Sequence, residues 1–179
     1  MAEGQLVYDF GVESLFRGLG ERLTPALKEK VRAVGIDLDR KLLPAYPRDV
    51  WVRAVDVVAE DLSRGGDLAT ARRELGRLIT GGFPETALGK LMAPGVRFIG
   101  VRRVLMRLPK QLTMSNNFMK VSLVEQPGDR LRVEVIEPVP SPEFLCGVIE
   151  AIATYAGAKR CEVTFVDEGP LTAFTVNWS

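Results

Sequence analysis

Four basic side chains, Arg102, Arg103, Arg107 and Lys110, form the densest group of residues suited to ligand chemistry in the sequence. They lie within residues 86–124, which carry seven Lys or Arg and no Asp or Glu, although the net charge of the chain is only +1. Arg103, Arg107 and Lys110 have the spacing i, i+4, i+7, which places side chains on one face of a helix. The pattern predicts a contact surface for a partner protein or an anion.

Two other uses of these basic residues stay open. Residues 125–179 carry nine Asp or Glu, and pairing with them would leave only a solvated face of the same chain. Nucleic acid is the other alternative, but it usually needs a larger basic area and aromatic side chains for stacking. Phe98 is the one aromatic residue close to these bases, so a nucleic-acid partner is not expected.

A second candidate site is an apolar pocket against a predicted helix at residues 142–156. Four side chains could line it: Phe118, Phe144, Cys146 and Tyr155. Apolar walls with a few polar groups are typical of sites for small ligands. Two alternatives stay open. The side chains could be ordinary core, or the helix could meet a second copy of the chain, because homodimer interfaces resemble protein cores.

The chain contains no histidine, which limits its catalytic chemistry. No imidazole can act as a general base or hold a metal ion, and the nucleophile and phosphate-loop motifs G-x-S-x-G, S-x-x-K and G-x-x-x-x-G-K-[ST] are missing. Two cysteines cannot form a four-thiolate site, and the pair Asp37 and Asp39 is more typical of a solvated loop than of a cation site. The sequence therefore predicts no catalytic residue, no metal site and no cofactor.

The first residues lack a positive segment followed by an apolar core, so no secretory signal is predicted. No apolar stretch approaches the roughly 20 residues that a membrane span needs. We expect a cytoplasmic protein, in which Cys146 and Cys161 stay reduced as inert core thiols. The alternative for Cys146 is contact with a ligand, acylation or a redox role.

The first half of the chain has the caps and periodicity of α-helices. Thr24, Asp49 and Asp67 are typical first residues of helices, and the apolar residues that follow recur at spacings of three and four. Three further elements are predicted here: a short edge strand over residues 5–10, a short segment over residues 84–92, and a helix over residues 96–110.

In the second half the period changes to two. Apolar and polar residues alternate on both sides of Pro127-Gly128 and again on both sides of Gly169-Pro170, which predicts two hairpins. Between the hairpins, Ser141 can cap the apolar helix of residues 142–156. We predict an α+β fold in one domain over residues 1–179. A helical part, about 1–115, packs on an antiparallel sheet of two hairpins that flank one buried helix, about 116–179.

The rear segment GVIEAIATYAGAKRCEVTFVDEGPLTAFTVNW resembles the closing part of the ligand-binding fold shared by nitric-oxide signalling and Golgi-transport proteins. That fold includes four-vinyl-reductase-like domains, TRAPP-like tethering subunits and haem-based nitric oxide sensors. Over nearly its whole length the chain is similar to a family of uncharacterised paralogous myxobacterial proteins of about 180 residues. The segments that carry this second resemblance are LATARRELGRLITGGFPETALGKLM, NNFMKVSLVEQPGDRLRVEV and SPEFLCGVIEA.

The resemblance implies a binding or adaptor module in bacterial signalling or regulation. Such a module would recognise a partner protein or a small hydrophobic ligand, often as a homodimer. The haem sensors bind iron through a proximal histidine, which this chain lacks. The alternative function is a small enzyme, or a domain associated with one, acting on a hydrophobic or tetrapyrrole-like substrate, which rests on analogy of fold alone.

Overall fold

A computed structural model describes residues 4–86, 99–137 and 140–179. The described α-helices are α1 (Asp9–Leu19), α2 (Pro25–Ala33), α3 (Arg48–Ser63), α4 (Leu68–Gly82), α5 (Val101–Leu105), α6 (Leu108–Thr113) and α7 (Pro142–Tyr155). The described strands are β1 (Leu6–Tyr8), β2 (Ala45–Pro47), β3 (Lys120–Glu125), β4 (Arg130–Ile136), β5 (Cys161–Glu168) and β6 (Leu171–Trp178). Short 3₁₀ turns occupy Gly20–Arg22 and Phe83–Glu85.

Side-chain caps begin three of these helices, as the sequence predicts. The side chains of Thr24, Asp67 and Ser141 accept hydrogen bonds from backbone N–H groups in the first turns of α2, α4 and α7. Each bond satisfies a donor that has no partner within its helix. Helix α3 begins at Arg48, one residue before the predicted Asp49, and has no side-chain cap.

The rear half forms a four-stranded antiparallel sheet in the order β3-β4-β6-β5. Each predicted hairpin forms, and the two are joined edge to edge by β4 and β6. Val133 lies opposite Leu123 on one side and Phe174 on the other, so one face of the sheet is apolar. Helix α7 packs against β5 and β6, and the helical front half packs on α7. This arrangement confirms the predicted α+β fold.

The predicted edge strand at residues 5–10 is shorter in the structure. Leu6–Tyr8 pairs antiparallel with β2, and Val7 forms an isolated bridge with Asn116. The buried Asn116 side chain accepts hydrogen bonds from the N–H groups of Phe118 and Met119. It thereby turns the chain into β3.

The prediction of one continuous helix over residues 96–110 is wrong for the part that the structure describes. Residues 96–98 lie outside the described ranges, and the rest forms two short helices separated at Met106 and Arg107. Pro109 explains the break, because proline has no N–H to donate and its ring collides with the carbonyl four residues earlier. The three bases at 103, 107 and 110 therefore do not share one regular helix face. Of the predicted segment 84–92, only residues 84–86 are described, within and just after a 3₁₀ turn.

Helix α4 lies between α1 and α7 and touches both through glycines. A Cβ added at Gly76 would lie 2.8 Å from the Val148 backbone N and closer still to the Phe144 carbonyl. Gly147 of α7 approaches the Arg73 backbone in the same way, and Gly18 and Gly82 form the corresponding contact between α1 and α4. The three helices therefore pack backbone to backbone at these crossings. None of the described helices has the length and apolar character to cross a membrane.

Substituting Gly76→Ala should lower the free energy of unfolding by about 2–3 kcal/mol, because the new methyl group must push α4 and α7 apart. Urea unfolding followed by far-UV circular dichroism measures this change. Gly81→Ala is the matched control, since Gly81 is on the same helix and a Cβ there has nothing within 4 Å. It should stabilise the protein by about 0.5–1 kcal/mol. Equal effects of the two substitutions would contradict the proposed packing.

Candidate functional site

Arg102 connects the basic segment to the rear of the chain. Its guanidinium donates a hydrogen bond to the Gly128 carbonyl, lies 3.6 Å from a Glu125 carboxylate oxygen, and stands 5.4 Å from the centre of the Trp178 ring. These contacts join α5 to the β3-β4 turn and to the end of β6. Arg102 therefore pairs with the acidic rear half of the chain, which is one of the alternatives left open by the sequence.

Arg103, Arg107 and Lys110 have a different environment. All three are exposed, and their side chains have no hydrogen-bond or ion-pair partner among the described residues. Met106 lies between them in sequence and is 36% exposed. We call Arg103, Met106, Arg107 and Lys110 together the α5–α6 surface. The structure thus separates the four predicted bases into one that is held by the fold and three that are available.

Apolar packing against the core fixes the position of α5. Val104 and Leu105 are buried, and α5 contacts α7. Gly100 precedes the helix with a φ of +86°, a conformation that favours glycine. The α5–α6 surface therefore has buried side chains beneath it and Arg102 beside it.

The four predicted pocket residues contact other parts of the fold. Phe144 packs edge-on against Trp51 with ring centroids 6.4 Å apart, and the guanidinium of Arg48 stands 5.3 Å from the centre of the Phe118 ring. Cys146 is fully buried in α7, while Tyr155, at the end of that helix, is half-buried. A pocket formed by these side chains stays a prediction.

Two clefts in the described part of the chain contain charged side chains. One, of about 790 Å³, lies where α3 ends and α4 begins. Two of its carboxylates have partners: Asp61 with Lys30, and Asp67 as the cap of α4. Another, of about 320 Å³, contains Asp39, which pairs with Lys28. Both clefts are open to solvent, whereas small-ligand sites usually enclose most of the ligand surface.

Metal binding has no support in the described part of the chain. It contains no cluster of three or more His, Cys, Asp or Glu side chains that could hold an ion. The predicted pair Asp37 and Asp39 instead binds Arg32, with Nη2 3.4 Å from Asp37 and 2.6 Å from Asp39.

A buried ion cluster in the core was not predicted from the sequence. Glu150 of α7 is only 7% exposed and accepts hydrogen bonds from the guanidinium groups of Arg73 and Arg77 on α4. Arg73 also donates to the Val163 carbonyl at 2.7 Å, and the Val163 N–H donates to Glu150 at 3.4 Å. The cluster therefore ties α4, α7 and β5 together and satisfies the buried carboxylate.

The surroundings of this cluster set the ionisation of Glu150 and of the two cysteines. Burial acts to raise the pKa of Glu150, but the hydrogen bonds from Arg73 and Arg77 outweigh it, and the net pKa lies below the ordinary value. Burial raises the pKa of Cys146 to about 12 and that of Cys161 to about 11. Both thiols therefore stay protonated at neutral pH, which makes them poor nucleophiles.

A family model described as "Protein of unknown function (DUF2378)" matches residues 5–179, and the chain belongs to this family. The predicted similarity to one family of uncharacterised proteins over nearly the whole chain is thus confirmed at that level. Among curated proteins, none matches the chain significantly.

Solved structures of H-NOX domains match almost the whole chain. An H-NOX protein from S. oneidensis in the Fe(II) ligation state is 10% identical, with a TM-score of 0.71, covering 93% of this chain and 95% of that one. An oxygen-binding H-NOX domain related to soluble guanylate cyclases, in its oxygen complex, is 18% identical, with a TM-score of 0.65 and coverages of 95% and 92%. A T. tengcongensis H-NOX variant is also 18% identical, with a TM-score of 0.67 and coverages of 95% and 96%.

At these identities the likeness shows the fold alone, so this chain has the H-NOX fold. The predicted resemblance of the rear half to a ligand-binding fold of signalling proteins is confirmed for the branch that contains haem sensors. These matches give no support to the four-vinyl-reductase-like and TRAPP-like comparison.

Haem is named in the description of two solved structures that match. A haem held through a proximal imidazole does not fit this chain. Haem iron is usually held by histidine, by a cysteine thiolate, by methionine together with histidine, or by tyrosine. The chain has no histidine, and burial raises the pKa of the Cys146 and Cys161 thiols.

Glu150→Gln should lower the free energy of unfolding at pH 7 by about 2 kcal/mol, because the amide cannot satisfy two guanidinium groups. The lowered pKa of Glu150 gives the sign of the pH dependence. Its stabilisation is complete above the unfolded-state pKa and is lost as the pH falls through the folded-state pKa. The difference between wild type and variant should therefore shrink as the pH is lowered below the ordinary glutamate pKa of 4.5, as measured by urea unfolding at each pH. A difference that stays constant with pH would contradict the ion cluster.

Cys146 should be unreactive toward a thiol reagent such as dithionitrobenzoate at pH 8 in the native protein, because burial raises its pKa to about 12. Labelling of Cys146 should require unfolding in urea. A Cys161→Ser variant isolates the signal of Cys146. Rapid labelling of that variant without urea would favour the alternative in which Cys146 is exposed to ligand or redox chemistry.

Proposed function

We propose that this chain is a non-enzymatic binding module in signalling or regulation, which recognises a partner protein and uses the H-NOX fold without a histidine ligand to iron. The observation that carries the proposal is the donor set. Haem is named in the descriptions of two matched structures, yet this sequence contains no imidazole. Detection of a gas at a histidine-ligated iron is therefore not a function that this chain can share.

The interior of the described chain supports the same proposal. Its one buried carboxylate, Glu150, is fully occupied by Arg73, Arg77 and the Val163 N–H. General acid–base catalysis needs a titratable group that can reach a substrate, and this carboxylate is committed to holding helices and strand together. Backbone contacts at Gly76 and Gly147 also close the space between α4 and α7.

The choice of a partner protein over a small ligand follows from the surfaces. The two clefts described above are open to solvent, whereas a small-molecule site is usually a concave pocket that buries most of its ligand. The α5–α6 surface, in contrast, offers exposed cations next to a partly exposed methionine. Arginine and methionine are both enriched at protein–protein interfaces.

Titration of the purified protein with haemin tests the proposal. We expect no saturable shift of the Soret band at one equivalent, while the S. oneidensis H-NOX protein, treated in parallel, provides the positive control. Native mass spectrometry of protein expressed with added iron and haem precursor should give the mass of the polypeptide alone or of its oligomers. Stoichiometric haem with the spectrum of an axially ligated iron would overturn the proposal. A different retained small molecule would favour a ligand-binding function instead.

A further inference from the structure

The α5–α6 surface carries positive charge that the described chain does not neutralise. We propose that Arg103, Arg107 and Lys110 dock an acidic segment of a partner protein, and that Arg102 is the positioning residue that holds this surface in place. This inference rests on the proposed function, because it names the surface and the partner chemistry of the same binding module.

The contrast with two paired arginines of the chain supports the first part. Arg32 pairs with carboxylates of Glu29, Asp37 and Asp39, and Arg132 pairs with Glu134 and Glu168. Residues 99–124, in contrast, contain five Lys or Arg and no Asp or Glu. Because no carboxylate is close in sequence, and none is paired with the three exposed bases among the described residues, their charge is available to another molecule.

The geometry of Arg102 supports the second part. It is the base of this group whose side chain contacts the sheet, through the Gly128 carbonyl, Glu125 and the Trp178 ring. A planar guanidinium can donate to a carbonyl and stack on an aromatic ring together, which the ammonium group of a lysine cannot do. Arg102 therefore restrains α5, whose five residues are too few to form a stable helix alone.

Several observations favour an acidic protein segment over other anionic partners. Single-stranded nucleic acids stack on aromatic side chains, but Trp178 is covered by Arg102 and Phe118 by Arg48. Membrane surfaces need bulky apolar anchors beside the bases, and the described surface offers only Met106. Three exposed cations within eight residues, with one methionine among them, instead match acidic peptide segments that also carry apolar side chains.

The direct test is fluorescence anisotropy with a fluorescein-labelled peptide of Glu-Glu-Leu repeats, measured at low and at physiological salt. We expect saturable binding that weakens with salt, because the contact is electrostatic and solvent-exposed. The variant Arg103→Glu/Arg107→Glu/Lys110→Glu should bind the peptide at least about tenfold more weakly. Circular dichroism and urea unfolding should show that this variant is folded, since the three side chains are exposed.

A matched double variant separates a site from an effect of net charge. Lys41 and Arg64 are exposed and have no side-chain partner among the described residues. The variant Lys41→Glu/Arg64→Glu changes the net charge of the protein by the same amount as Arg103→Glu/Arg107→Glu. It should keep peptide affinity within about twofold of wild type, because no described contact joins either residue to α5 or α6. Equal losses in the two double variants would overturn the proposal.

Substitutions that keep the charge test the role of Arg102. Arg103→Lys should leave peptide affinity nearly unchanged, because the contact needs only positive charge. Arg102→Lys should weaken binding several-fold and change the fluorescence of Trp178, because lysine loses the carbonyl contact and the stacking geometry. A Trp51→Phe background assigns the fluorescence signal to Trp178. Identical behaviour of the two lysine variants would show that Arg102 has no positioning role.

Two further measurements decide the class of partner. A single-stranded oligonucleotide of similar charge that binds more tightly than the peptide, with the same loss in the triple variant, would overturn the assignment to a protein. Sedimentation velocity of the protein alone is the second measurement: self-association that disappears in the triple variant would identify a second copy of the chain as the occupant. Lack of peptide binding at low salt would also overturn the inference. The proposed function is tested separately, by the haemin titration.

Discussion

Helix α4 is in backbone contact with α1 and with α7, and these two contacts constrain the rest of the fold. Side chains normally keep helix axes 8–10 Å apart, but glycines at the crossings remove that spacing. On α4, Gly82 meets Gly18 of α1, and Gly76 meets the backbone of α7 at Phe144 and Val148. Since both crossings are on one rigid helix, the position of α1 relative to α7 is set by α4.

The close approach of α4 and α7 also determines where charge can be buried. Arg73 lies three residues before Gly76 and Arg77 one residue after it, while Glu150 follows Gly147 by about one helical turn. Bringing the two backbones together therefore brings both guanidinium groups to the carboxylate. Removing one partner of a buried ion pair is strongly destabilising, because it leaves an uncompensated charge. The glycines and the ion cluster thus favour the same packing, and the bonds from the cluster to Val163 extend it to the sheet.

Much of the fold could be predicted because its signals are local. Helix caps at Thr24, Asp67 and Ser141 act within three residues, and turns at Gly128 and Gly169 need the positive φ that glycine adopts easily. The antiparallel hairpins and the α+β fold follow from these signals and from the period of two.

The features that the sequence analysis missed depend on contacts between distant residues, with one exception. Arg73 and Glu150 are separated by 77 positions, and a lone acid in an apolar helix does not reveal which bases will reach it. The order β3-β4-β6-β5 likewise depends on pairing between two hairpins. The exception is the break at Met106, since Pro109 is a local signal against a helix that continues through it.

The candidate site shows the same division between local and distant information. The bases of residues 102–110 are visible in the sequence, but only the fold distinguishes Arg102 from its neighbours, because Glu125, Gly128 and Trp178 come from three later positions in the chain. A group of like charges has a free energy of repulsion that must be offset by a counter-charge or by solvent. Arg102 obtains its counter-charge within the chain, whereas the three exposed bases depend on water and salt. An anionic partner would therefore gain most by replacing that solvent at those three residues, while the interior, where Glu150 is already satisfied, has little to offer it.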